Sequence, residues 1–399
     1  MNKATISQKK EIKTTRLIGE VTGETDGPTL IFFGGIHGNE PSGVIALEKV
    51  FQEISRLGLS CKGSAYGIRG NIPALLKKKR FLEADLNRIW LKSQIEPIFN
   101  KSQQECSAEE LELIEIHKVI SKILNTSSPP YYFVDYHTTS SPTLPFITIN
   151  DALINRNFSR LFPVPVILGI EEYLDGPLLS YINELGYVSL GFESGQHATH
   201  EAALCSIAFT WLTMIYSGFL EDNQMEAKSH RDLLNELAKG NNSFYEVIYR
   251  QAISGIDQFS MYPGFKSFDT LKKGTPLAVQ NKEEIKAEKD TIIFMPLYQD
   301  QGEEGFFLIK EIPSWILRFS AFLRNIRMDT LLTYLPGVSW SKPSKEQLKV
   351  NLKIARFFSK PFFHLLGYRN KVVDSTHLIL SNREKVAKKD MYKNTFWFK

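Results

Sequence analysis

Two histidines and a glutamate stand where an α/β protein gathers metal ligands. His37 and Glu40 lie three residues apart in the segment GGIHGNE, directly after the apolar, strand-like run TLIFF. A helical turn would bring an imidazole and a carboxylate at this spacing to one side. Taken alone, however, such a pair is more typical of a hydrogen-bonded structural histidine.

A second histidine, His137, changes that balance. It follows the strand-like run YYFV in the segment VDYHTT. Because the strands of an α/β sheet present ligand-binding groups at their carboxyl ends, His37 and His137 are expected at the same edge. Two histidines, one glutamate and a fourth position open to water make a catalytic zinc site, whereas a structural site would close the shell with cysteines. Asp135 is either a group that orients His137 or an aspartate bonded to its own turn.

A glutamate ends a third strand-like run. Glu193 lies in GFESG, after the apolar residues YVSL, and a carboxylate is costly to bury there without a task. Near zinc it could accept a proton from water and later give it to a leaving amine. The alternative is a helix-capping or ion-paired glutamate before Thr199.

The fourth motif, RFLEADLNR, holds two arginines and an asparagine. Three consecutive lysines precede it, which favours a solvated basic face. Asn87 and Arg88, however, come just before an apolar Ile-Trp pair, which indicates a partly enclosed guanidinium. An enclosed arginine suits two-point binding of a substrate carboxylate. Arg80 could instead stabilise the negative charge that develops on a carbonyl oxygen.

Alternating strands and helices must position these motifs. Short apolar runs rich in β-branched and aromatic residues are separated by helix-like segments such as 41–55, 109–124 and 199–219. This alternation predicts an α/β fold with a mainly parallel, mixed sheet covered by helices. After the polar break KGNNS the runs become shorter and are separated by turn signals. We therefore predict an α/β domain at 1–225, a β-rich capping domain at 226–312 and a basic, aromatic, partly helical extension at 313–399.

Composition and charge exclude several classes of protein. The 399 residues are 43% hydrophobic and 23% charged, as in ordinary globular proteins. The sequence has no membrane-length apolar stretch, no secretory signal and only three scattered cysteines, which favours a soluble protein of the cytoplasm. Residues 314–399 hold 17 basic against 5 acidic residues, a local charge of +12 within an overall +4. A tail of this kind could contact nucleic acid or an anionic membrane, but we expect its aromatics to pack on the main domain.

Together the motifs GGIHGNE, ADLNR, VDYHTT and GFESG resemble, in order and rough spacing, the succinylglutamate desuccinylase/aspartoacylase family. That family is a branch of the zinc carboxypeptidase-like fold. The resemblance covers about 16–312, and the segment MYPGFKSFDTLKKGTPLA resembles the family's C-terminal β domain. It implies hydrolysis of a small N-acyl amino acid to a carboxylic acid and a free amino acid.

The resemblance also implies a role for each motif residue. Zinc, one ion per chain, would be held by His37, Glu40 and His137. Glu193 would be the general acid/base, and Arg80 would lie near the scissile carbonyl. Asn87 and Arg88 would bind a substrate carboxylate.

The sequence departs from aspartoacylase in two places. Aspartoacylase has a further arginine just upstream of the catalytic glutamate, whereas residues 171–192 contain four acidic residues and no arginine or lysine. The tyrosine that the aspartoacylase β domain contributes has no clear counterpart, and Tyr298 is the nearest candidate. A substrate less acidic than N-acetylaspartate is therefore expected. His197 and His200 follow Glu193 closely and are further candidates for the lining of the pocket.

Two rival functions stay open at this point. One is a metallocarboxypeptidase that trims peptides and uses Arg88 for the terminal carboxylate. The other is a non-catalytic zinc-binding module, against which Glu193 and Arg80 argue because binding alone needs no general base. The expected partner is a small molecule rather than nucleic acid, and a homo-oligomer is compatible with the sequence.

Overall fold

The computed structural model describes residues 14–222, 226–341, 347–351, 360–372 and 377–398. Its strands are β1 (Leu17–Thr22), β2 (Thr25–Gly34), β3 (Lys62–Arg69), β4 (Tyr131–Thr139), β5 (Phe146–Ile149), β6 (Val166–Leu168), β7 (Val188–Gln196), β8 (Phe244–Ala252), β9 (Phe259–Met261), β10 (Thr270–Leu271), β11 (Pro276–Gln280), β12 (Glu283–Lys286), β13 (Thr291–Phe294), β14 (Glu304–Ile312), β15 (Val338–Trp340), β16 (Gln347–Asn351), β17 (Tyr368–Val372) and β18 (His377–Asn382).

The α-helices are α1 (Ser42–Leu57), α2 (Ile72–Lys77), α3 (Lys92–Phe99), α4 (Ala108–Thr126), α5 (Leu153–Ser159), α6 (Leu178–Glu184), α7 (His200–Tyr216), α8 (Ala227–Leu237), α9 (Ser314–Asn325), α10 (Lys360–Leu365) and α11 (Arg383–Val386). Short 3-10 helices span Leu86–Arg88, Ile170–Glu172, Met328–Tyr334 and Lys389–Tyr392. Within the described parts of the chain, no helix is both long and apolar enough to cross a membrane.

An eleven-stranded mixed sheet dominates the fold, in the order β1-β3-β2-β4-β7-β5-β6-β8-β14-β13-β10. Its centre is parallel, because β2 pairs in parallel with both β3 and β4, and β4 pairs in parallel with β7. Every residue of β4 is buried, as expected for a strand covered on both faces. The carboxyl ends of β2, β4 and β7 therefore meet at one edge.

Both faces of this sheet are covered by helices. On β2, Leu30 and Phe32 belong to the apolar core shared with α1 and α7, whereas Ile31 and Phe33 belong to the core shared with α4. This alternation follows from the two-residue period of a strand, which points successive side chains to opposite faces. The predicted α/β fold with a mainly parallel, mixed sheet is confirmed for this central part.

The β-rich region after residue 243 partly extends the main sheet. Strand β8 pairs in parallel with β6, and β14, β13 and β10 continue the sheet in antiparallel order. A separate three-stranded sheet of β12, β11 and β9 lies beside them. The β-rich character agrees with the sequence prediction, while the limits of the three predicted regions stay predictions.

The extension combines helix α9 with a four-stranded sheet, β15-β16-β18-β17, that the prediction of a partly helical segment left out. It is anchored by Arg324, which is fully buried and pairs with the buried Asp151 at 2.9 Å. Further along, the Tyr392 hydroxyl donates to the carbonyl oxygen of Tyr131 at 2.6 Å and accepts from the amide of Val188 at 2.9 Å. Of the sequence regions discussed above, residues 1–13 and parts of the basic extension lie outside the described residues.

Candidate active site

The side chains of His37, Glu40 and His137 converge at the sheet edge. One ligand atom from each lies within 4.8 Å of the others, and all three residues are buried. The Nδ1 atoms of His37 and His137 face the two carboxylate oxygens of Glu40 at 3.0 and 3.1 Å. The loop after β2 reaches this position because Gly38 packs on the backbone of Ala74, where any side chain would collide. Two imidazoles and one carboxylate are the donor set of a catalytic zinc site.

Each histidine is oriented by a carboxylate on its far side. The Nε2 atom of His37 lies 3.1 Å from Asp85 Oδ1, and that of His137 lies 2.8 Å from Asp135 Oδ2. A hydrogen bond donated from Nε2 leaves the Nδ1 lone pair directed at the shared point, which is the usual support for a metal-binding histidine. Of the two readings of Asp135 left open by the sequence, the geometry selects the one in which it orients His137.

Asp85 is a residue that the motif analysis missed. It lies between Arg80 and Asn87 in the ADLNR motif, and its Oδ1 also accepts from the backbone amide of Asn87 at 2.8 Å. Its position in that motif was the one available signal, because the partner His37 is 48 residues away in sequence. Only the folded chain brings the carboxylate behind the imidazole.

The cluster is electrostatically suited to a cation. Burial by itself would raise the pKa of the Glu40 carboxyl, but His37 and His137 hold that pKa well below its usual value. Burial would likewise raise the pKa of Asp85, and His37 with Arg80 keeps it well below its usual value. Both groups are therefore carboxylates at neutral pH, and their negative charges favour a bound cation over an empty cluster.

Glu193 lies directly opposite His137 in the register of β4 and β7. Its side chain lines the same cavity as the three clustered residues and is 8% exposed. Its Oε2 atom is buried without a hydrogen-bond partner among the residues that the structure describes. Burial, with a further contribution from Glu40, raises the pKa of Glu193 to about 8. The charge of a divalent cation bound nearby would lower that pKa again.

Arg80 is held between two carboxylates of the cluster. Its Nη2 donates to Asp85 Oδ2 at 3.1 Å, and its Nη1 lies 3.5 Å from Glu40 Oε1. Burial by itself would lower the pKa of Arg80, but these carboxylates raise it, so the guanidinium remains charged. Arg80 thus presents a fixed positive charge to the cavity beside the clustered histidines.

Asn87 and Arg88 both line the cavity. The Asn87 side-chain oxygen accepts from the backbone amide of Leu178 at 2.9 Å, which ties the motif to the start of α6. Arg88 donates through Nη1 to the carbonyl oxygen of Asn87 at 2.9 Å. Its Nη2 reaches both carboxylate oxygens of Glu304, at 3.2 and 3.1 Å.

The lining of the cavity has a polar and an apolar side. The polar side is formed by the motif residues described above. The other side is mostly apolar and comes from the segments 170–179 and 295–307: Ile170, Leu174, Pro177, Leu179, Met295, Pro296, Leu297 and Phe307. A small substrate would therefore contact both polar groups and hydrocarbon.

The two additional histidines have different positions. His197 lines the cavity, where its Nδ1 contacts the Thr138 hydroxyl at 2.6 Å and its Nε2 contacts Gln299 Oε1 at 3.0 Å. His200 is the first residue of α7 and does not line the cavity. Tyr298 does not line it either, because its hydroxyl donates to the carbonyl oxygen of Tyr262.

A family model, the succinylglutamate desuccinylase/aspartoacylase catalytic domain, matches residues 26–205. This segment of the chain is similar to the catalytic domain of that family. All seven predicted site residues lie within it, so the resemblance drawn from the four motifs is confirmed. Members of the family hydrolyse acylated amino acids.

Individual relatives agree with this assignment. Succinylglutamate desuccinylases of Pseudomonas fluorescens and Photorhabdus laumondii are 27% identical over 114 and 115 residues, which is 28% and 29% of this chain. The aligned region spans 31% and 34% of those proteins, so the chain aligns with about a third of the curated relatives it matches.

Solved structures of the family share the fold. The succinylglutamate desuccinylase of Vibrio parahaemolyticus superposes with a TM-score of 0.52 at 16% identity, covering 74% of this chain and 86% of that one. A succinylglutamate desuccinylase/aspartoacylase from Rhodobacter sphaeroides gives 0.53 at 16% identity, covering 74% and 88%. At this identity the likeness concerns the fold alone.

Proposed function

We propose that this chain is a zinc-dependent amidohydrolase that converts a small N-acyl amino acid into a carboxylic acid and a free amino acid. The observation that carries the proposal is the convergence of His37, Glu40 and His137 beside the unpartnered, buried Oε2 of Glu193. Three metal-binding side chains and a separate carboxylate in one cavity are the parts that hydrolysis of an amide requires.

The residues present fit zinc rather than magnesium or calcium. Two imidazole nitrogens and one carboxylate suit zinc, whereas the harder cations prefer oxygen ligands. The carboxylates of Asp85 and Asp135 behind the two histidines support the same choice, because they fix the imidazole orientation. Zinc held by His37, Glu40 and His137 would polarise the scissile carbonyl and lower the pKa of water.

Glu193 would carry the proton. A carboxylate accepts a proton from the water whose oxygen attacks the carbonyl carbon. When the carbon–nitrogen bond breaks, Glu193 gives that proton to the leaving amine nitrogen, and the acyl group leaves as a carboxylic acid. The position of Glu193 opposite His137, on a neighbouring strand, supports this role.

The two arginines would bind different parts of the substrate, the acyl carbonyl and the α-carboxylate. Arg80, held by Asp85 and Glu40, offers a fixed positive charge that would stabilise the developing negative charge on the carbonyl oxygen. Arg88 has guanidinium N–H groups beyond the two that it gives to Asn87 and Glu304, and one α-carboxylate would occupy them. Asn87 positions Arg88 through its backbone carbonyl.

The substrate class we favour is an N-acyl amino acid with an uncharged side chain, whose α-carboxylate is its single carboxylate. The apolar side of the cavity supports this, because a hydrocarbon acyl or side chain would be buried there. Of Glu171, Glu172, Asp175 and Glu184, all of which the structure describes, Glu171 alone lines the cavity. A second carboxylate on the substrate would therefore meet at least one negative charge on that side.

A panel of N-acyl amino acids, assayed for release of free amine, tests the proposal. We expect turnover that the chelator 1,10-phenanthroline abolishes and added zinc restores, with one zinc ion per chain in the active protein. The variant His137→Ala should lose both zinc and turnover, and the matched variant His200→Ala, outside the cavity, should lose neither. Removal of C-terminal residues from free peptides without attack on N-acyl amino acids would support the carboxypeptidase alternative. Zinc binding without any turnover would support the binding module.

A further inference from the structure

Arg88, which is proposed to bind the substrate, already forms an ion pair with a carboxylate of the protein. Glu304, the first residue of β14, lines the cavity, and both of its oxygens lie within 3.2 Å of Arg88 Nη2. Glu304 also pairs with Arg250 Nη2 at 3.3 Å. The side chains of Arg88 and Glu304 are only 16% and 12% exposed, so water screens this pair weakly.

The charges around the cavity leave little room for a second acidic group. Arg80 is already matched by Asp85 and Glu40. Arg88 is partly matched by Glu304, while Glu171 adds another carboxylate to the lining. One substrate carboxylate can bind Arg88 together with Glu304. A second substrate carboxylate would lie near the lining carboxylates, where water screens the repulsion between like charges only weakly. Like charges brought together in this way oppose binding strongly.

We infer that Glu304 is a specificity-determining residue, which selects against N-acyl amino acids that carry a second carboxylate. This inference rests on the proposed function and adds a residue to it. Glu304 acts by occupying part of the Arg88 guanidinium and by placing its own charge in the cavity. Arg250 keeps Glu304 in position, because its Nη2 binds Glu304 Oε1, the same oxygen that Arg88 Nη2 contacts.

The variant Glu304→Gln tests the inference. It keeps the size and the hydrogen-bonding capacity of the side chain but removes the charge. We expect the ratio of kcat/KM for N-acetylaspartate to that for N-acetylleucine to rise by about tenfold or more, since a like-charge contact is removed. Glu304→Asp keeps the charge and should leave the ratio within about threefold of the wild-type value. A ratio that stays the same or falls in Glu304→Gln would overturn the inference.

Glu303 supplies a matched control. It is the exposed neighbour of Glu304 and does not line the cavity. Glu303→Gln makes the same change in net charge outside the site, so its ratio should equal that of the wild-type protein. A shift as large as that of Glu304→Gln would mean that overall charge, and not the contact with Arg88, determines the preference.

Binding measurements separate this inference from the proposed function. Calorimetric titration with N-acetylaspartate and N-acetylleucine measures binding without turnover. The two full-length, zinc-loaded proteins to compare are Glu193→Gln and the double variant Glu193→Gln/Glu304→Gln. Glu304→Gln should tighten N-acetylaspartate binding by about tenfold and N-acetylleucine binding by much less. The inference is overturned if N-acetylaspartate binds the two proteins equally tightly or binds neither of them. If the wild-type protein hydrolyses no N-acyl amino acid but Glu304→Gln still changes binding as expected, only the proposed function is overturned.

Discussion

The two sides of the cavity are built in different ways. On the catalytic side, at the carboxyl ends of β2, β4 and β7, neighbouring carboxylates fix the two clustered histidines, His37 through Asp85 and His137 through Asp135. On the other side, formed by the segments 170–179 and 295–307, most lining residues are apolar, and the charged Glu304 contacts Arg88. Under the proposed function, the first side would hold the reacting atoms and the second would accept or reject substrates. Mutations on the two sides should therefore separate rate from selectivity.

The largest effect is expected on the catalytic side, at Glu193. The variant Glu193→Gln cannot accept a proton, and general acid/base catalysis is typically worth about 10²–10⁴-fold, so kcat should fall by that factor. Zinc content and thermal stability should remain close to wild type. The matched control is Glu201→Gln, in the exposed first turn of α7. A Glu193→Gln protein with nearly normal kcat would remove this residue from its role and weaken the contrast between the two sides.

A smaller effect is expected behind the proposed ligands, at Asp85. The variant Asp85→Asn loses the charge that orients His37, and the loss of such a supporting carboxylate typically weakens metal binding by about 10–100-fold. Competition with a chromogenic chelator measures the zinc dissociation constant directly. Saturating zinc should restore much of the turnover, which distinguishes Asp85 from Glu193. Unchanged zinc affinity would show that the hydrogen bond from His37 to Asp85 does not support the metal site. Glu83→Gln, an exposed position two residues earlier, is the control.

The smallest effect is expected on the selecting side, at Leu179. This half-buried residue of α6 lines the apolar part of the cavity. The variant Leu179→Ala removes hydrocarbon contact, and a site loses roughly tenfold in selectivity when one or two such groups are removed. KM for N-acetylleucine should rise by about tenfold while kcat changes little. N-acetylglycine, which is small at both ends, is the control substrate, and an equal loss with it would place Leu179 outside the selecting surface.

The same contrast governs what the sequence could predict. His37, Glu40, His137 and Glu193 each lie at the end of an apolar run or in the loop that follows it, so local patterns and the geometry of parallel strands were sufficient to predict that they share one edge. The roles assigned to them stay predictions until metal and activity are measured. The role of Asp85 could be assigned only from the fold, which shows that its carboxylate lies next to His37 Nε2. Its place in the ADLNR motif was the one local signal, and it did not reveal the partner.

The selecting side was much harder to predict. Glu304 reaches Arg88 from 216 residues further along the chain, and its strand β14 belongs to a region expected to fold as a separate cap. The addition of β8, β14, β13 and β10 to the main sheet is a long-range pairing, and such pairings leave little trace in local periodicity. The four-stranded sheet of the extension was missed for the same reason, because its strands are short and lie in a region rich in lysine and arginine.

The anchoring of the extension has a consequence for how the protein is made. The aromatic rings of Tyr392 and Trp397 lie 5.5 and 6.2 Å from that of Tyr132, on the central strand β4, and are buried in the same core. The ribosome, however, synthesises Trp397 about 190 residues after the matched catalytic segment ends at residue 205. At roughly 5–20 residues per second, that interval lasts about 10–40 s. During this time Tyr392 and Trp397 are not available, so we expect the nascent catalytic region to expose the surface around Tyr132 until the end of the chain is synthesised.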